Sequence, residues 1–402
     1  MIRFLTAGES HGKALTTIVE GFPSNIPINA DYLNLHLKRR QAGYGRGARM
    51  KIESDTVEII SGIRLGKTLG SPICFHIENK DWVNWKDVMS SEKLKSGTDK
   101  VTIPRPGHAD LVGVLKYNFD DIRNSIERSS ARETAAKVAA GTIARKFLQE
   151  FGILIGSFVE GIGGIYSTKN HYNQLVKNKS IAKSGWNISL KADKSSVRVL
   201  DKTQEQKIIS KIKSAKKAGD TLGGTFVTVA TGVPVGLGSF MQYDRRLDAD
   251  IASHIMSINA VKGVEIGSGF SSADNFGSDI HDEIIFDQSE FSRKTNNAGG
   301  IEGGISNGLP ILVRAAMKPI STLAKPLNSI DMSTMKKVES RYERSDFTAV
   351  PSCAVISEST LAWVLAKHFL QKIGGDSLEE VKDNFKAFKK NYLNRLRSNF
   401  KK

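Results

Sequence analysis

The residues that could do chemistry in this chain sit in short, glycine- or proline-punctuated stretches. His11 lies within Gly8-Glu9-Ser10-His11-Gly12, just after a short apolar run, where a backbone lacking side chains can approach a ligand closely. A tight turn with an exposed histidine describes the same residues. Arg40, Arg46 and Arg49 flank or occupy a loop at residues 43–50 whose alternating glycines rule out regular structure. Arginine forks of this kind suit carboxylates and phosphates, and they would suit RNA phosphates too. Arg105 and His108 share the loop Arg-Pro-Gly-His-Ala-Asp.

The most informative stretch is Arg128-Ser129-Ser130-Ala131-Arg132-Glu133. Ser130 and Glu133 have the spacing of a capping box, which predicts a helix beginning at Ala131. Ala135, Val138, Ala139, Thr142 and Phe147 then recur at helical spacing, and Gly152 is a natural stop. A basic, hydroxyl-rich helix start is a ready site for an anion, phosphate above all. An ordinary capped helix behind a basic loop has the same residues. Farther along, Lys318-Pro319-Ile320-Ser321-Thr322 places a lysine and two hydroxyls around a proline turn, a weak phosphate signal by itself. In Arg344-Ser345-Asp346, Asp346 reads as a general base or as half of a surface ion pair.

The elements that must hold these residues are mixed. Strands are expected over residues 2–7, 15–19, 52–60, 71–77, 153–159, 224–233 and 309–317. Helices are expected from Asn29 to Arg40 with Leu33 and Leu37 inward, from Asp248 to Val261 (which carries Asn259-Ala260), and from Cys353 to Ile373. Residues 263–308 are rich in glycine, which suggests a mobile flap or close backbone packing on a flat ligand. Gly66-Lys67-Thr68 mimics the end of a P-loop, but Gly62 stands one residue too close for the full pattern.

The 402 residues could form one large domain or two to three average ones, and 40% hydrophobic content can bury a substantial core. No apolar run spans a bilayer, and the first twelve residues are too polar and glycine-rich for a signal peptide. Cys74 and Cys353 stand far apart, so neither a disulfide framework nor a metal site is indicated and a reducing, cytoplasmic setting is expected. The 58 Lys/Arg against 42 Asp/Glu leave a formal charge of +16, which invites a nucleic-acid reading. Much of the lysine, however, lies in residues 169–217 and 382–402, which read as solvated surface and a charged final helix.

Taken in order, the stretches at residues 8–12, 43–49, 105–110, 128–134, 318–322 and 344–346 resemble the chorismate synthase family, over the chain from its first residues to about Gly374. Phe347 stands where the family has a small residue or proline. The resemblance implies an α+β fold, a layered β-α-β sandwich in which antiparallel sheets flank a helical centre. It implies residues 1–375 as a single catalytic domain, 376–402 as a charged helical extension, and a homotetramer. The implied activity is anti-1,4-elimination of phosphate from 5-enolpyruvylshikimate 3-phosphate, giving chorismate with reduced FMN and no net oxidation.

By the same resemblance His11 would protonate the departing phosphate, and His108 would lie near the pyrimidine end of the flavin. Asp346 would act through flavin N5 on the proton leaving the substrate ring. Arg40, Arg46, Arg49, Arg105 and Arg132 would bind substrate anions. Arg128, Ser129, Ser130, Asn259, Ala260, Gly303, Lys318, Pro319, Ile320, Ser321, Thr322 and Arg344 would hold FMN. Flavin reduction is expected from an external source, with neither nucleic acid nor membrane as a partner. The competing readings are an ordinary flavin oxidoreductase, which lacks a dinucleotide fingerprint here, and an RNA-binding protein, which leaves His11, His108 and Asp346 without a role.

Overall fold

Strands with strict two-residue alternation open the chain. β1 (Arg3–Ala7), β2 (Ala14–Glu20), β3 (Val57–Ser61) and β4 (Ile73–Glu78) form one antiparallel sheet in the order β1-β2-β4-β3. Leu15, Thr17 and Val19 of β2 and Ile73, Phe75 and Ile77 of β4 turn inward and are fully buried, as period-two patterning requires. These observations come from a computed structural model that describes residues 2–47, 54–93, 97–287, 290–343 and 346–400. Arg49 and Arg344 lie outside the described residues.

The middle layer is helical. α1 (Ala30–Gln41) starts where expected: Asn29 Oδ1 accepts the Tyr32 N–H at 3.0 Å, and Leu33 and Leu37 are buried. α2 (Asp110–Tyr117) and α3 (Arg123–Ser129) lead into α4 (Thr134–Gln149). The helix expected from Ala131 begins with a 3₁₀ turn, Ala131–Glu133, before α geometry sets in at Thr134. Ser130 Oγ does accept the Arg132 N–H at 3.3 Å. Glu133, however, pairs with Lys137 at 3.0 Å one turn on, so the other half of the box is drawn away from Ser130. α4 is buried almost all round, which places it at the centre. It stops as expected, with Gly152 at φ +77° and the Ile153 N–H returning to the Leu148 carbonyl at 3.1 Å.

A second antiparallel sheet lies across the helices. Its strands are β5 (Leu154–Ile162), β6 (Ile165–Tyr166), β7 (Gly224–Thr231), β8 (Val261–Ile266) and β9 (Ile311–Met317), in the order β8-β9-β7-β5-β6. α5 (Gly185–Ala192) and α6 (Lys202–Lys217) occupy the lysine-rich stretch. That stretch is only partly the solvated surface expected of it, because Ile188, Val197, Arg198, Ile208 and Ile212 are buried. α7 (Leu247–Met256) ends before the expected Val261: Ala260 adopts φ +67°, and Val261 already belongs to β8. The glycine-rich stretch after β8 holds two small hairpins, Ile284–Asp287 with Glu290–Arg293 and Ile301–Glu302 with Ile305–Ser306. Its glycines let backbone cross backbone inside the protein, since a Cβ on Gly267 would sit 2.0 Å from the Asn297 carbonyl.

α8 (Val350–Ile373) crosses α4 in the middle layer, and α9 (Leu378–Phe400) closes the chain by packing Phe385 against Phe151 and Phe369. Gly141 permits the α4–α8 crossing, because a Cβ there would lie 2.3 Å from the Ser359 carbonyl. The architecture is thus α+β, two antiparallel sheets on either side of α1, α4 and α8. Among the described residues no helix is long and apolar enough to cross a membrane.

Glu358 of α8 is the hub of this layer. It accepts from Arg39 Nη1 and Nη2 at 2.7 and 2.9 Å, from Arg145 Nη1 at 2.7 Å and from Arg198 Nη2 at 3.2 Å. Ser157 and Ser189 hydroxyls add bonds of 2.6 and 2.5 Å. Burial alone would raise its pKa, but the guanidinia of Arg39 and Arg145 override that and hold the carboxyl well below the usual range. Arg39 and Arg198 also meet Asp193, but replacing Glu358 leaves the fully buried Arg145 without a carboxylate partner among the described residues. Glu358→Gln is therefore expected to lower the unfolding free energy by about 3–5 kcal/mol in urea titrations at neutral pH. Because the folded-state pKa is depressed, this gap is full above the unfolded carboxyl value of about 4.3 and closes as pH falls further. A loss below about 1 kcal/mol would remove the hub from the account of stability.

Candidate active site

His11 is held from three directions. Gly8, at φ +107°, turns the chain so tightly that a Cβ would lie 2.3 Å from the Ala14 carbonyl. Asn79 Nδ2 donates to the carbonyls of Glu9 and Gly12 at 3.1 and 2.8 Å, tying the turn to the end of β4. From α3, the Glu127 carbonyl accepts the Ser10 N–H at 3.0 Å, and Glu127 Oε2 accepts the His11 N–H at 2.8 Å. The same carboxylate meets His11 Nδ1 at 2.9 and 3.0 Å, and the imidazole stacks on Trp85 with centroids 3.9 Å apart. Burial pushes the Glu127 pKa up, but the hydrogen bonds and charge of His11 together with Arg123 outweigh it and leave the carboxyl below its ordinary value.

His108 has a parallel arrangement. Asp110, the first residue of α2, is fully buried and accepts from Arg105 Nε at 2.8 Å, Arg105 Nη2 at 2.9 Å and the Arg105 backbone N–H at 2.9 Å. His108 Nδ1 lies 2.5 Å from Asp110 Oδ1, the oxygen that also accepts from Arg105 Nη2. Burial raises the Asp110 pKa, yet the Arg105 and His108 bonds outweigh it, and the carboxyl stays well below the usual range. The Arg-Pro-Gly-His-Ala-Asp loop therefore closes on its own aspartate. Arg105 Nη1 reaches on to Thr322 Oγ1 at 3.1 Å and Glu343 at 3.2 Å.

Both histidines line one cavity of about 960 Å³, together with Ser10, Arg105, Ser129, Ser130, Asn259, Ala260, residues 318–322 and Asp346. Asp346 accepts the Gly47 N–H at 2.6 Å and pairs with Arg46 at 3.2 Å, so its cation comes from the glycine loop. Asn259 Nδ2 donates to the Ser129 carbonyl at 3.1 Å, while its buried Oδ1 has no hydrogen-bond partner among the described residues. Lys318 contacts the Gly107 carbonyl through Nζ, linking β9 to the His108 loop.

Other expected site residues sit behind this wall. Arg40 and Arg132 are buried on a shared carboxylate, Asp55: Arg40 Nη1 lies 3.1 Å from it, and Arg132 pairs with its other oxygen while donating from Nε to Asn79 Oδ1 at 2.8 Å. Burial brings the Arg40 pKa down to about 10 although Asp55 opposes it. Arg128 braces the His11 turn by donating to the Thr6 and Gly8 carbonyls at 2.9 and 3.2 Å. Gly303 sits in the turn of the 301–306 hairpin and does not line this cavity.

The cavity also holds residues that sequence reasoning passed over: Trp85, Arg123, Arg341 and Glu343. Glu343 pairs with Arg341 and lies 3.6 Å from Arg123, as well as meeting Arg105. For Glu127 the one available signal was the i,i+4 spacing from Arg123, which the structure turns into a 3.3 Å ion pair. Chemically, the cavity offers two carboxylate-backed histidines, the carboxylate of Asp346 as an acceptor, a wall of hydroxyls and cations for phosphate, and apolar surface from Ile258, Met317 and Pro319 for a flat ring.

Comparison with known proteins fits this arrangement. Residues 2–370 match the family model described as chorismate synthase. The chain is 53% identical over 390 residues to a chorismate synthase of Chloroherpeton thalassium, covering 96% of this chain and 99% of that protein. It is likewise 53% identical over 393 residues to one from Prosthecochloris aestuarii, covering 97% and 98%. A solved structure, described as the crystal structure of chorismate synthase, matches with a TM-score of 0.78 at 43% identity, over 99% of this chain and 98% of that one.

The geometry separates arginines of the framework from cations that face the cavity. Arg132→Ala leaves Asp55 buried beside an empty socket and is expected to lower the unfolding free energy by about 3–5 kcal/mol. Lys318→Ala is expected to change it by less than about 0.5 kcal/mol, as at an ordinary surface position. Urea titrations of the two variants check the distinction, and equal losses would erase it.

Proposed function

This chain belongs to the chorismate synthase family of carbon–oxygen lyases acting on phosphates, and we propose that it carries out the elimination of phosphate from 5-enolpyruvylshikimate 3-phosphate with reduced FMN. The observation that carries the reading is the convergence of His11, His108 and Asp346, each held by a defined partner, on one cavity. The substrate of such a reaction carries carboxylates and a phosphate, which suits the guanidinia around that cavity.

The residues present fit the cofactor. Asn259 Oδ1, buried at the cavity wall and without a hydrogen-bond partner among the described residues, could accept from a ligand, and a flavin ring has polar edges as well as flat apolar faces. Ser129, Ser130, Asn259, Ala260, Lys318, Pro319, Ile320, Ser321 and Thr322 would hold it. The chemistry such a reduced flavin would supply there, when bound, is electron density for breaking the substrate C–O bond without net oxidation.

The chain's own groups manage protons and charge. His11 donates a proton to the departing phosphate, lowering the cost of its developing charge. Asp346 is the final acceptor for the proton lost from the substrate ring, and the Gly47 N–H and Arg46 keep its oxygens in place for that task. His108, backed by Asp110, stabilises charge on the cofactor side of the cavity. Arg46 and Arg105 bind substrate anions directly, and Arg40 and Arg132 set the positive potential behind them. The reaction is redox-neutral and consumes no reductant in turnover, and the proposed source of the reduction that first prepares the flavin is external.

The proposed setting is a cytoplasmic homotetramer, with residues 1–375 as one catalytic unit and 376–402 as a helical extension. Exposed Phe270, Phe276, Phe286 and Phe291, gathered in one glycine-rich region, support burial against further copies.

Purified protein assayed without oxygen, with dithionite-reduced FMN and 5-enolpyruvylshikimate 3-phosphate, is expected to release chorismate and phosphate in equal amounts without net flavin oxidation. His11→Ala and Asp346→Ala are expected to lower kcat by about 10²- to 10⁴-fold. Folded, FMN-binding protein that forms no product would overturn the reading.

A further inference from the structure

The contacts from α3 to Ser10 and His11 centre on one residue. Glu127 accepts the Ser10 N–H through its backbone carbonyl, the His11 N–H through Oε2, and Nδ1 of the His11 ring through both oxygens. Its side chain is only 2% exposed. A carboxylate buried this deeply needs partners, and its second one is Arg123 Nη1 at 3.3 Å. The Arg123 guanidinium stands 5.0 Å from the centre of the Trp85 ring, and Trp85 stacks on His11. Trp85 is itself held by Asp81, which accepts from its Nε1 at 3.1 Å. Glu127, Arg123, Trp85 and His11 thus form a closed circuit that holds the imidazole by one edge and one face.

An ionised carboxylate can only accept hydrogen bonds. The ring nitrogen facing it must therefore carry a proton in both the neutral and the charged imidazole, and Nε2 is the nitrogen whose proton is exchanged. A residue that served only to brace the turn would need the backbone contacts alone. The paired contact to Nδ1 adds nothing to bracing and everything to the choice of tautomer.

We propose that Glu127 is the positioning residue for His11, setting the Nδ1-protonated tautomer and holding the ring as the proton donor to the leaving phosphate. The role as donor rests on the elimination proposed above, whereas the tautomer does not. The neighbouring residue Arg128 supports the same turn from its outer side and leaves the ring alone.

The test measures both parts separately. Protein labelled with ¹⁵N-histidine is examined by NMR at a pH where the ring is neutral, with the His11 signals identified by their loss in His11→Gln. The parent is expected to show the proton on Nδ1. Glu127→Gln, whose amide can donate as well as accept, is expected to mix the tautomers. In the anaerobic assay Glu127→Gln is expected to lower kcat by about 10²-fold with KM changed less than about 3-fold, and Glu127→Asp to recover part of the loss. A parent ring protonated on Nε2 would overturn the proposal, as would a Gln variant with unchanged tautomer and unchanged kcat. If Glu127→Gln fails to fold, the parent tautomer and the Asp variant still decide it. A parent that shows the expected tautomer but forms no chorismate would count against the elimination and leave the positioning intact.

Discussion

A single carboxylate buried among arginines organises the centre of this protein. Glu358 on α8 gathers Arg39 from α1, Arg145 from α4, Arg198 from the chain after α5, and Ser157 from β5. Asp193 shares Arg39 and Arg198 with it, whereas Arg145 depends on Glu358, and burial without the guanidinia would favour the neutral carboxyl. Arg39 and Arg145 also lie 4.9 and 4.7 Å from the Trp186 ring centre, which gives their faces an apolar neighbour. The network therefore fixes how three helices and a sheet meet.

The candidate site inherits that geometry through one step along α1. Arg39 turns into the hub, and Arg40, about 100° around the helix, turns towards Thr134 and Asp55. Asp55 in turn holds Arg132 at the start of α4, beside the hydroxyls of Ser129 and Ser130. A shift at the core crossing, where Gly141 meets Ser359 without room for a side chain, would be felt at this helix start.

Around the cavity the recurring device is a cation or histidine paired with an internal carboxylate. Glu127 serves His11, Asp110 serves Arg105 and His108, Asp55 serves Arg40 and Arg132, and Asp346 meets Arg46. Much of the positive charge is consequently spoken for before any ligand arrives. Such a site is preorganised: its dipoles and charges need little rearrangement when a ligand's own charges enter. It also explains why a chain of net charge +16 does not present its most telling arginines as an open basic surface.

The local rules in the sequence determined a good deal. Asn29 as a cap, the alternation in residues 15–19 and 73–77, the stop at Gly152 and the long apolar helix ahead of Gly374 all act over a few residues, so each was legible from neighbours alone. The chemical stretches were legible too, because glycine and proline loops dense in arginine, histidine and serine have few structural uses. What tertiary structure decided was pairing. Nothing local says that Glu127 faces His11 across 116 positions, that Glu358 gathers arginines from 160 to 319 positions away, or that Arg132 turns inward while Arg128 stays at the surface. Hydrogen bonds and ion pairs depend on distance in space. A lone sequence records which partners are available, and only the folded chain selects among them.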